Sequence, residues 1–248
     1  MTYRHLSLEV EGARRRVLLD GGPLTLGAAR ELSQIATDLA EQRGAVRVLT
    51  IASQGADFCP GPADDLDPLT AGVDPPAAIA SLPFPVVVAL DGRVDSVGLE
   101  IALAADLRIG GPRTRVSLTD VTSVGASARL PCWGGTQRLP RLAGRSVASS
   151  MLLAGTELDH SAAHRCGLLQ LLADDPDTLA DTMSTRLAEL APYALSAAKE
   201  ALARGPELPM RHALELEGDL NHLLQTTHDR AEGLAAFFDK RTPRFEGS

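Results

Sequence analysis

The chain has few lysines: Lys199 and Lys240 are the only two among 24 basic residues in 248 positions. Neither follows a glycine-rich turn, which excludes a phosphate loop of the Gly-Lys-Ser/Thr type. There is no Gly-x-Gly-x-x-Gly fingerprint for a dinucleotide and no Gly-x-Ser-x-Gly elbow for a serine hydrolase. His-Glu-x-x-His is missing too, and although His160 and His164 share a helical face they have no suitable third ligand nearby, so no metal is expected. The three cysteines, Cys59, Cys132 and Cys166, are odd in number, widely spaced and without a Cys-x-x-Cys pair. With no apolar signal segment at the start, they point to a reducing, cytoplasmic setting. No run approaches the ~18 apolar residues that would span a bilayer, so no membrane insertion is expected. A formal charge of −8 and a pI near 5.2 leave no broad basic surface, and nucleic acid is not an expected partner.

The composition is that of a folding chain, with 44% hydrophobic and 23% charged residues. LSLEV and RRVLLD read as two strands joined by the turn EGAR. PLTLGAARELSQIATDLAEQ repeats apolar residues at helical spacing, RVLTIAS reads as a strand, and QGADFCPGPADDL as a loop. After the short helix DPPAAIASL comes PVVVAL, an unbroken apolar run suited to a strand buried on both faces. A turn, a helix and the strand DLRIG follow, then TRVSLTD, the long helix GTQRLPRLAGRSVASSMLLAG and a last strand in GLLQLLA. The remainder is helical. This alternation predicts an α/β core over residues 1–175 and a helical region over 176–248.

One stretch, DGRVDSVGLEIALAADLRI, carries the chemical signal. Asp95 or Ser96 can cap a helix, which places Glu100 in its first turn. A carboxylate there complements the helix dipole, worth ~0.3–1 kcal/mol. Residues 101–105 are small and apolar all round, however, so the helix should be buried and Glu100 desolvated with it. A buried glutamate beside helix-start amides suits proton transfer next to a developing oxyanion. From the residues alone, the capping and catalytic readings stand level.

The segments FCPGPADDL, PVVVALDGRVDSVGLEIALAADLRI, GGTQRLPRLAG with AGTELDHSAAHRCGLL, and FFDKRTPRFEGS resemble, in this order along the chain, motifs of the enoyl-CoA hydratase/isomerase (crotonase) family. The resemblance implies a spiral of strand-strand-helix repeats ending in a helical region that builds homotrimers or hexamers. It implies an acyl-CoA thioester substrate, with coenzyme A entering only as part of that substrate. By position, Glu100 matches the first catalytic glutamate and Asp120 the second. Val97 matches the residue whose amide forms half of the oxyanion hole, next to Gly98. Lys240 and Arg241 match a region that contacts CoA across subunits, and read equally well as a solvated basic pair.

The departures lie in the same places. The other oxyanion amide should belong to the residue before Gly61, which is Pro60, and proline has no N–H. Losing such a donor costs about 10²–10³ in rate; a shift of one residue would present the Gly61 amide instead. Asp120 is one methylene shorter than the family's glutamate, and a displacement of ~1 Å can cost ~10²-fold. The loop from Val121 to Trp133 is about four residues longer than the family's usual one, and Val97 narrows the pocket. Trp133 and the two cysteines near the site, Cys59 and Cys132, read as apolar filling. The leading reading is hydration or dehydration of an enoyl thioester by Glu100 and Asp120. A double-bond isomerase is the alternative within the family, and an acyl-CoA-binding auxiliary protein the alternative outside enzymes.

Overall fold

A computed structural model describes residues 3–42, 44–123 and 129–248. The hairpin read in the sequence is β1 (Ser7–Glu11) against β2 (Arg14–Leu19), antiparallel and turning at Gly12, whose φ of 55° favours glycine. Strands β3 (Val48–Ser53), β4 (Val86–Leu90), β6 (Leu107–Gly110) and β9 (Leu171–Leu172) then add in parallel, giving the order β1-β2-β3-β4-β6-β9. All five residues of β4 are buried, as a strand covered on both faces must be. The last strand is shorter than GLLQLLA suggested: only Leu171 and Leu172 pair, while Leu168 and Leu169 turn into the core.

Helices cover both faces. Helix α1 (Leu26–Ala40) is capped by the Thr25 side chain and packs Leu32, Ile35, Ala36 and Leu39 into the main core with α2 (Pro75–Ala80) and α3 (Val97–Ala104). The opposite face is closed by α6 (Pro176–Ala188), where Ala180 sits on Val48, Ala52, Val87 and Ile109. The Thr50 and Ser184 hydroxyls meet at 2.6 Å beneath it. The helical region therefore begins as part of the core. Helix α7 (Pro192–Arg204) is tied down by Lys199, whose Nζ donates to Asp106 at 2.7 Å and to the Phe84 carbonyl at 3.0 Å. Helices α8 (Met210–Gln225) and α9 (His228–Asp239) follow, and Met210, Leu214, Leu223, Phe237 and Phe238 on them are exposed.

A second small sheet positions the site. Strand β5 (Arg93–Val94) pairs with β7 (Arg115–Val116), which pairs with β8 (Leu158–Asp159). The turn from β4 into β5 uses Gly92 at φ 68°, where a side chain would run into Asp57. The long helix of the sequence is α4 (Gly135–Ala154), interrupted at Gly144, and α5 (His160–Arg165) follows it.

Candidate active site

The site is built where three segments meet at the start of α3. The loop containing Cys59 lies beside β5: Cys59 N–H donates to the Arg93 carbonyl at 3.1 Å, and Asp95 N–H donates back to the Cys59 carbonyl at 3.0 Å. Gly98 permits this approach, since a Cβ there would lie 2.6 Å from the Cys59 Cβ. These contacts fix the register of the FCPG loop and set Pro60 and Gly61 beside the turn into α3. A Cβ on Gly61 would come 3.9 Å from the Ser96 Cβ. The Gly61 carbonyl is held by the Leu24 N–H at 2.8 Å. Neither the Gly61 nor the Val97 N–H donates to an acceptor among the described residues.

All eight residues of α3 are buried, as its apolar circumference predicted. Its far end is closed by Arg108, itself fully buried, which donates to the carbonyls of Ala105 at 2.6 Å, Ala102 at 3.3 Å and Leu168 at 2.8 Å. The Ala105 bond satisfies a carbonyl that the helix end leaves open, the Ala102 bond adds to that of the Ala105 N–H, and the third ties the Leu168 carbonyl to the same guanidinium. Burial lowers the Arg108 guanidinium to about 10.

Glu100 is 1% exposed. Its Oε1 accepts the N–H groups of Trp133 and Gly135, both at 2.8 Å, at the start of α4. Burial pushes its carboxyl up to about 7, against the two amides, which favour the charged form, and with the Asp120 charge adding to the rise. Glu100 stands next to the neighbouring cavity: the Trp133 amide that holds it follows Cys132 on the cavity wall, and the charge of Asp120, another wall residue, acts on its carboxyl.

That cavity, of about 820 Å³, is lined by Pro60, Gly61, Asp95, Ser96, Thr119, Asp120, Arg129, Leu130 and Cys132 among others. Asp120 is 4% exposed. Its Oδ1 accepts the Ser96 hydroxyl at 2.6 Å and faces Arg129 Nε at 3.2 Å, while its Oδ2 is buried with no partner among the described residues. Burial raises its carboxyl above the usual range, and the Ser96 and Arg129 contacts oppose that rise. The carbonyl of Asp120 also accepts the Arg129 N–H at 2.9 Å, so the chain after Thr119 returns to its starting point. The expected lengthening of the Val121–Trp133 loop falls in part on residues 124–128, outside the described residues.

Two readings of single residues change. Ser96 stands at the N-cap position, but α3 has no side-chain cap. Its φ of 50° and ψ of −123° aim the hydroxyl at Asp120 instead, a backbone state that costs a side-chain-bearing residue about 1–3 kcal/mol. Asp95 braces the neighbouring strand end, accepting Ser96 N–H at 2.8 Å, Thr119 N–H at 3.1 Å and Thr119 Oγ1 at 2.7 Å. Reading by sequence missed Ser96 and Arg129 as partners of Asp120. A serine directly before a buried, apolar helix was the available signal for the first; no signal pointed to the second.

The structure does not bring Lys240 and Arg241 to this cavity within one chain. Arg241 is engaged by Glu232 through two bonds of 2.6 and 2.8 Å, and Lys240 is exposed at the end of α9. Cys59 is buried and its thiol is pushed up to about 11, which makes it a poor nucleophile. Trp133 is buried beside Glu100, in the core as expected.

Comparison with known proteins agrees with this geometry. Residues 55–248 match the profile of the enoyl-CoA hydratase/isomerase family. The chain is 37% identical over 165 residues to the 2,3-dehydroadipyl-CoA hydratase of Escherichia coli (strain K12), covering 66% of this chain and 63% of that protein. It is 37% identical over 167 residues to the (E)-benzylidenesuccinyl-CoA hydratase of Thauera aromatica, covering 66% of this chain and 63% of that one. Both matches thus span a little under two thirds of the relative's length. The crystal structure of an enoyl-CoA hydratase from Bacillus anthracis superposes with a TM-score of 0.88 at 28% identity, over 99% of this chain and 100% of that one. Its likeness establishes the crotonase fold across the whole chain. The chain belongs to the enoyl-CoA hydratase/isomerase family.

Proposed function

We propose that the protein adds water to a 2-enoyl-CoA thioester, or removes it, through an enolate-like intermediate. The observation that carries this reading is Asp120, a buried carboxylate on the wall of an 820 Å³ cavity beside the amide-bearing start of α3. The thioester carbonyl takes its place at that helix start, where the Val97 N–H and the helix dipole stabilise the oxygen as charge moves onto it. Gly98 allows the loop carrying Pro60 and Gly61 to close over the thioester. Pro60 supplies no second donor, so the hole is weaker than two amides would make it.

Asp120 is the base toward water, and Glu100 the second carboxylate, with a carboxyl near neutrality. No metal and no separate cofactor is part of this reading; coenzyme A arrives with the substrate. The assembly we propose is a homotrimer or a pair of trimers, in which Lys240 and Arg241 approach the CoA of a neighbouring subunit. Support for it comes from Phe237 and Phe238 on α9, each 77% exposed with their rings 5.7 Å apart, an aromatic pair that a neighbouring subunit would cover. Three unpaired cysteines support a cytoplasmic setting. Among the described residues, no helix is long and apolar enough to cross a membrane.

The test is hydration of crotonyl-CoA, followed as loss of the enoyl absorbance. Turnover by the wild type and a fall of at least ~10²-fold in Asp120→Asn support the reading. A double-bond shift needs only one carboxylate at the cavity, which Asp120 on its wall supplies, and is the second reading. Conversion of a 3-enoyl-CoA to its 2-enoyl isomer without hydration would select it. Stabilisation by acyl-CoA with no turnover of either substrate would instead leave the protein an acyl-CoA binder.

A further inference from the structure

Ser96 occupies a backbone conformation that glycine adopts freely and serine does not, with φ 50° and ψ −123°. Its hydroxyl gives α3 no cap. The single hydrogen of that hydroxyl goes to Asp120 Oδ1 at 2.6 Å, which leaves the oxygen lone pairs free on a residue that lines the cavity. Asp120 has little direct access of its own: Oδ1 already serves Ser96 and Arg129, and Oδ2 is buried. An aspartate is also one methylene short of a glutamate, and a hydroxyl bonded to it restores that reach.

We propose that Ser96 is a catalytic hydroxyl of this site, relaying protons between Asp120 and the water that adds to the enoyl thioester. The proposal rests on the hydratase reading above and assigns a role that the family resemblance does not give to this position. As the water oxygen bonds to Cβ, a water proton passes to Ser96 Oγ and the serine proton passes to Asp120. The double-bond electron pair moves toward Cα and onto the thioester oxygen as an enolate. Asp120 then returns its proton through Ser96 to Cα, so the product has gained the elements of one water and both side chains are restored. Dehydration runs the same path backward.

The test compares wild type, Ser96→Ala, Ser96→Gly and the double variant Ser96→Gly/Asp120→Glu in crotonyl-CoA hydration. Ser96→Gly relieves the backbone and is expected to fold at least as well as wild type, so lost activity in it is not lost structure. The expected result is a kcat lower by ~10²-fold in both single variants with KM held within about threefold. The double variant, whose longer carboxylate reaches without a relay, is expected to regain about tenfold over Ser96→Gly. Rates in mixed H₂O and D₂O should curve with deuterium fraction in wild type, two protons being in flight, and run straight in the double variant. An active wild type with Ser96→Gly retaining full kcat overturns the relay and leaves the hydratase reading intact. A wild type that hydrates no enoyl-CoA overturns that reading and the relay with it. An acyl adduct on Ser96 in the intact-protein mass spectrum also overturns the relay, by making the serine a nucleophile.

Discussion

Replacing Glu100 by glutamine removes a titration and leaves a hydrogen bond in place. The carboxyl oxygen that accepts Trp133 N–H and Gly135 N–H becomes an amide oxygen of the same size and position, so both amides keep their acceptor. The wild-type carboxyl, by contrast, must be charged or neutral according to pH. Burial raises it from an ordinary 4.5 to about 7 in the folded chain. The folded state therefore holds a proton that the unfolded chain releases at lower pH. Below about 4.5 both states are protonated and the group is neutral toward folding. As pH rises from there through about 7, the unfolded state is favoured progressively, by about 3 kcal/mol in all for a shift of this size.

Urea melts at intervals between pH 4 and 8, taken on wild type and Glu100→Gln, isolate the effect as a difference. Wild type should lose stability relative to the variant across that window and run parallel to it on either side. The ionised Asp120 contributes to the rise at Glu100, so Glu100→Gln/Asp120→Asn against Asp120→Asn should show a smaller step. Parallel curves throughout would falsify the burial of an ionisable carboxyl here. A relative gain by wild type with rising pH would mean that the two amides dominate and the charged form is the favoured one.

Restoring an amide at position 60 is the direct probe of the oxyanion hole: Pro60→Ala should raise kcat for crotonyl-CoA by about tenfold or more, with a melting temperature little changed. An unchanged kcat would mean that residue 60 does not face the thioester oxygen. Arg108→Met keeps the apolar stem but strips the buried carbonyls of Ala105 and Leu168 of their donor and leaves that of Ala102 with the Ala105 N–H alone. It should cost about 3 kcal/mol in urea unfolding, and a loss under about 1 kcal/mol would show that those carbonyls find other partners.

Much of the fold was legible because it is local. The hairpin at Gly12, the amphipathic face of α1, the all-apolar β4 and the all-apolar α3 each follow from spacing within a short window. Where the pattern overran, at GLLQLLA, the reason is tertiary: β9 sits at the edge of the sheet beside β6, and Leu168 and Leu169 are drawn into the core before pairing can begin. Glu100 was correctly placed as a buried carboxylate in the first turn of α3. The partners of its carboxyl were not legible, because the amides that hold it come 33 and 35 residues later in the chain. Ser96 read as a cap because capping is the commonest local use of a serine before a helix. The competing partner, Asp120, is 24 residues away.

By itself the sequence determined the order of the main-sheet strands and the long helices, the family, and the placing of carboxylates, small residues and one proline around the start of a buried helix. These are properties of periodicity, residue type and spacing along the chain. Only the tertiary structure decided which oxygen meets which hydrogen: that Glu100 is held by the start of α4, that Asp120 takes the Ser96 hydroxyl and Arg129, and that Asp120 lines the cavity. Hydrogen-bond partners are chosen by ångström-scale convergence of segments distant in sequence, and no local pattern encodes that convergence.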